Sequence, residues 1–131
     1  MPMNTKERQD LVAHWLLLQR SHEERAGYDD LSWVVQRIWD LCDNAPNDAF
    51  EFIVAALEED GSNAAMAILS AGPLEALLRR HGPKIIVRVE RRTRRDPTFV
   101  RLLGHVWKDS MSLRIWERVQ AARNRRPLAV V

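Results

Sequence analysis

The sequence predicts an all-α protein, a compact bundle of about seven short helices joined by short turns. Three observations carry this. Apolar residues recur at spacings of three and four along most of the chain, the period of one helix face. Gly72-Pro73, Gly82-Pro83 and Asp96-Pro97 each read as the stop of one helix and the start of the next. Proline suits the first helical turn, where its missing N–H is not needed, and glycine suits the position just past a helix end. The five glycines lie mostly at element boundaries, and long β-branched runs are few.

The first helix is expected over about residues 5–21. Asn4 and Glu7 have capping-box spacing, and Leu11, Val12, Trp15, Leu16 and Leu18 form a wide apolar stripe. Gly27 breaks the pattern, and Asp29 or Asp30 can cap a second helix that turns Leu31, Val34, Val35, Ile38, Leu41 and Cys42 inward. A turn at Asn44-Ala45-Pro46-Asn47 leads to a third helix, residues 47–60, with Phe50, Ile53, Val54 and Leu57 on one face. Glu58, Glu59 and Asp60 crowd its C-terminal end, where the helix dipole disfavours acids unless cations lie near, and the arginines of the second half are the obvious candidates.

Gly61-Ser62-Asn63 opens the next helix, which Gly72 ends. Pro73 then opens another, with Glu75 in its first turn and Arg79, Arg80 and His81 in its last. Residues 84–95 are ambiguous, because Ile85, Ile86, Val87 and Val89 favour strands. On a helix, however, Ile85, Ile86, Val89 and Thr93 gather on one side and Lys84, Arg88, Arg91 and Arg95 on the other, which decides for helix. Asp96 caps a helix carrying Phe99, Leu102, Leu103 and Val106, and a last helix covers about residues 112–124 with Leu113, Trp116 and Val119 inward. The paired helices from Ser62 onward suggest solenoid-like stacking without a repeat of fixed period.

The 131 residues are read as one domain, residues 1–124, with a flexible tail at 125–131. The lone Cys42 forms no internal disulfide, no leader opens the chain, and no apolar run reaches membrane-spanning length, so a cytoplasmic protein without a membrane partner is expected. Net charge is +2, but residues 1–60 carry −8 and residues 61–131 carry +10. The two halves either attract one another within the fold or present one-sign faces to partners.

Gly72-Pro73-Leu74-Glu75, Leu77-Leu78, His81-Gly82, Asp96-Pro97, Phe99, Leu102-Leu103-Gly104 and Val106-Trp107 are joined further on by the WERVQAA stretch from Trp116 to Ala122. Together, over residues 64–123, they resemble the signature of a bacterial family of small helical domains, known as a domain of unknown function. The resemblance implies an all-helical domain and transfers no catalytic residue or cofactor.

The residues offer no reaction centre. No two of His14, His22, His81 and His105 stand three or four apart as zinc ligands on one helix face do. No Gly-x-Ser-x-Gly or phosphate-binding glycine loop is present. Asp29-Asp30 and Glu58-Glu59-Asp60 are neighbours in sequence and so point apart on a helix. No enzyme activity, cofactor or metal is expected.

The positive signal is basic. Residues 79–101 hold nine Lys/Arg against two acids, and Lys84, Arg88, Arg91 and Arg95 make a ridge with Arg92 beside it. Arginine forks fit carboxylates and phosphates alike. The ridge is a solvated face, an internal docking face for Glu58-Glu59-Asp60, or a binding surface. As a surface it would take an acidic protein, with nucleic acid as the alternative; no helix-turn-helix or stacking pattern supports the latter. Of five tryptophans, Trp33 and Trp39 lie about 240° apart around a helix, so one is expected to be exposed and to serve a contact, self-association into a homodimer included. The sequence therefore predicts a small protein-binding module, of the kind that inhibits a toxin or modulates a defence system, with Lys84, Arg88, Arg91, Arg92, Arg95, Trp33 and Trp39 at its contact surfaces.

Overall fold

A computed structural model describes residues 3–24, 31–108 and 111–124, all of them in helices or the turns between. The helices are α1 (Thr5–Glu24), α2 (Ser32–Asn44), α3 (Pro46–Glu59), α4 (Asn63–Leu69), α5 (Glu75–Arg80), α6 (Gly82–Thr93), α7 (Pro97–Leu103) and α8 (Leu113–Arg123), with a π-helical turn at Ser70–Leu74. The all-α expectation holds. The Asp29 or Asp30 cap and the 125–131 tail lie outside the described residues; Leu31 stands at the N-cap of α2 and offers no side-chain bond.

α3 runs through the middle and touches α1, α2, α4, α5, α6 and α7. Its composition allows this: Ala49, Phe50, Phe52, Ile53, Val54, Ala56 and Leu57 are all buried, more of its circumference than a surface helix would cover. Phe52 meets Trp15 of α1 edge-on at 6.2 Å, and Phe50 meets Phe99 of α7 at 5.6 Å. α1 and α2 pack on it and on each other, α5, α6 and α7 pack on it as well, and α8 packs against α6 and α7.

Local chemistry sets the ends. Asn4 Oδ1 accepts from the Glu7 N–H at 2.9 Å, and the Asn4 amide donates back to the Glu7 carboxylate. Ser62, Asp96 and Ser112 cap α4, α7 and α8 through their side-chain oxygens.

Of the three glycine or proline boundaries, Gly82-Pro83 and Asp96-Pro97 separate two helices as expected, and Gly72-Pro73 does not. The chain does not stop at Gly72. It runs on helically from α4 to α5, and the turn around Pro73 widens to π geometry. The widening absorbs a residue that cannot donate an N–H. The Cys42 thiol donates to the Pro73 carbonyl at 3.8 Å, and the Ser70 hydroxyl reaches the Ala67 and His105 carbonyls at 3.1 and 3.3 Å. Gly82 is not a left-handed cap either. His81 ends α5 at φ −128°, and Gly82 begins α6. The glycine is there for space, since a Cβ would stand 2.8 Å from Ile115 Cγ1 of α8.

Candidate binding surface

α6 is helical, as its two-sided pattern predicts. Ile85, Ile86, Val89 and Thr93 are buried against its neighbours, leaving the charged residues on the flanks and the outward strip. The flanks are occupied. On the side toward α3, the Arg88 guanidinium pairs with Glu51, donates to Asn47 Oδ1 at 3.2 Å, and lies 4.7 Å from the centre of the Phe50 ring. One turn on, Arg92 bonds Asp96 at 2.9 Å and Glu58 at 3.3 Å. Arg80 pairs likewise with Asp43 of α2. On the opposite flank both carboxylate oxygens of Glu90 accept from Arg118 of α8, through its Nε and Nη2.

The predicted ridge is therefore divided. Arg88 and Arg92 are not an external surface; they are half-buried and tie α6 to the acidic helix α3. The reason is angular. At about 100° per residue, positions 88 and 92 fall between the apolar face and the outward strip, within reach of α3. Glu58 at the end of α3 thus finds its cation, as the crowding of acids there required. Lys84, Arg91 and Arg95, with Arg94 between, remain exposed, and no ion pair reaches them among the described residues. Val87, 43% exposed, lies amid this strip.

Both Trp33 and Trp39 are exposed, at 45% and 41%, where one was expected. Trp33 packs edge-on against His14 at 5.1 Å and helps line a hollow with Met3, Leu11 and Arg37. Trp39 lies on a different face of α2, so the two do not form one patch.

The sequence reading missed Trp107, whose exposure of 77% exceeds that of every other large apolar residue described. Its spacing from Leu103 suits the inward stripe, but α7 ends at Leu103, and the chain past Gly104 carries the indole outward. The early stop is the signal that could have found it.

No group of histidine, cysteine and carboxylate side chains able to hold a metal occurs among the described residues. The Cys42 thiol is buried, and desolvation pushes it up to about 11 against an opposing pull from Arg80, so it stays protonated and inert. No described helix is long and apolar enough to cross a membrane.

The model of a family of unknown function (DUF6869) matches residues 21–127. The match begins well before residue 64, so α2 and α3 share the pattern with the later helices. No curated protein and no solved structure matches the chain.

Proposed function

We propose that this chain, which belongs to the family of unknown function DUF6869, is a non-enzymatic binding module for an acidic protein partner. One observation carries the reading: α6 and the turn that follows it leave Lys84, Arg91, Arg94 and Arg95 exposed and without an ion pair among the described residues, beside an exposed Val87, while Arg88 and Arg92 are engaged within the fold. Unpaired arginines around an apolar centre suit a protein contact. Nucleic acid is the weaker reading. A phosphate backbone following the strip would run beside Glu51, Glu58, Asp96 and Glu90, which flank it on both sides. A localised carboxylate cluster on a protein avoids them.

The specific form of the reading is an inhibitor or immunity protein of a bacterial toxin or defence system, supported by the small helical scaffold and its one-sign face. The single buried thiol of Cys42 supports a reducing, cytoplasmic setting.

The test uses two baits from one lysate, the wild-type chain and Arg91→Glu/Arg94→Glu/Arg95→Glu. The wild type is expected to retain an acidic protein that the reversed chain loses. Equal capture by both, or capture only of nuclease-sensitive material, overturns the reading.

A further inference from the structure

A second surface lies on the far flank of α8 from α6. Trp116 and Arg123 of α8, the Gly104–Lys108 segment, and Ala67 and Ala71 line an open groove of about 600 Å³. Its lining combines the small residues Ala67, Ala71 and Gly104 with the indoles of Trp107 and Trp116. Trp107 stands out at one edge, with its backbone N–H donating to the buried Glu75 carboxylate at 3.4 Å. Arg123 is fixed in place: its guanidinium lies 5.8 Å from the Trp116 ring centre and donates to the Gly104 carbonyl at 3.2 Å.

The charges are one-sided. Among the described residues, Arg123, Lys108 and His105 line the groove and no carboxylate does. Neither Arg123 nor Lys108 has an ion-pair partner among the described residues. Val106 and Met111, on either side of Trp107 in sequence, are buried, while the Trp107 indole stays in water.

We infer that the Trp107–Trp116 groove binds an extended, acidic, proline-containing segment of a protein partner. A groove lined by indoles accepts proline rings, whose polyproline II backbone has little entropy left to lose. The indole N–H groups suit its free carbonyls, and the Arg123 and Lys108 cations suit carboxylates on either side. Stacked nucleobases would also suit the indoles, but the small lining residues Ala67, Ala71 and Gly104 match a closely approaching backbone better. The inference rests on the protein-binding reading and assigns it a second, separately testable surface.

The probe is a fluorescein-labelled dodecapeptide of repeated Glu-Pro-Pro, followed by anisotropy at low salt. Its Gln-Pro-Pro counterpart and a dodecamer of thymidylate serve as comparisons. Saturable binding of the acidic peptide is expected, with a loss of tenfold or more in Trp107→Ala and of threefold or more in both Arg123→Met and Lys108→Glu. The Gln peptide should bind more weakly, and Arg91→Glu/Arg94→Glu/Arg95→Glu should change the affinity less than twofold. In an NMR spectrum of the wild type, the indole N–H signals of Trp107 and Trp116 should move and those of Trp15, Trp33 and Trp39 should not. Absence of saturable binding up to millimolar peptide, affinity unchanged in Trp107→Ala and Lys108→Glu, or tighter binding of the oligonucleotide with the same Trp107 dependence overturns the groove assignment. Any of these outcomes leaves the α6 strip standing, because the two surfaces respond to different substitutions.

Discussion

At the scale of single residues, Cys42 shows how far burial alone fixes chemistry. It sits on the inward face of α2 with Val34, Ile38 and Leu41, donates to the Pro73 carbonyl, and is raised from 9.0 to about 11, chiefly by desolvation. At pH 8 this lowers the thiolate fraction about a hundredfold below that of an ordinary thiol. A thiol reagent should therefore label the folded protein at least that much more slowly than the urea-unfolded chain; comparable rates would show an open site. The sign for stability follows. Between pH 9.0 and about 11 the unfolded chain loses a proton that the folded chain keeps, so stability is full below pH 9 and falls as the pH rises through 11. Urea melts of the wild type and Cys42→Ala at pH 8 and pH 10.5 isolate the effect, with the smaller loss expected in the alanine variant. The role of Cys42 was legible from the apolar period of α2. The exposure of Trp107 was not, because period describes a residue inside a helix and Trp107 lies four residues past the end of one.

Among the elements, the same two-residue word has two meanings. Gly72-Pro73 and Gly82-Pro83 look alike in sequence, yet one swells a continuing helix and the other starts a new one. The difference comes from packing: Ser70 and Pro73 are held by His105 and Cys42, partners from distant segments. Substitution should separate them. Gly82→Ala puts a methyl against Ile115 and is expected to cost about 1–3 kcal/mol, with most of the cost relieved in an Ile115→Ala background. Gly72→Ala meets nothing within 4 Å and should be neutral or stabilise by about 0.5–1 kcal/mol. Paired chemical melts check both, and equal effects at the two positions would contradict this account. Asp96-Pro97 keeps its predicted meaning because a cap is local: the carboxylate needs only the Thr98 and Phe99 N–H groups two and three residues away. The helical state of α6 was legible for the same reason, since its period outweighs the strand preference of Ile85, Ile86 and Val87.

At the scale of the molecule, the opposed charges of the two halves are partly spent in holding the halves together. Arg80–Asp43, Arg88–Glu51 and Arg92–Glu58 form a seam between α2 and α3 on one side and α5 and α6 on the other. Charge counts could show that such a seam was available but not which arginines would enter it, because position 88 differs from position 91 only by its angle to α3. That division makes a crossed prediction. Arg88→Met keeps the stem over Phe50 but loses the ion pair and the ring contact, both partly exposed, and should cost about 0.5–1.5 kcal/mol. Partner binding should not change. Arg91→Gln alters a side chain with no ion pair among the described residues, so the melting temperature should move by no more than about 2 °C while capture of the acidic partner falls. Salt should act on the same division, weakening the intermolecular contact steeply and the seam only slightly, because seam charges are shorter-ranged and partly shielded from solvent. Melting curves and partner titrations of the two variants at low and high salt test this together. If Arg88→Met lost the partner and Arg91→Gln lost stability, the assignment of the two arginines would be reversed, and the outward strip of α6 would no longer account for binding.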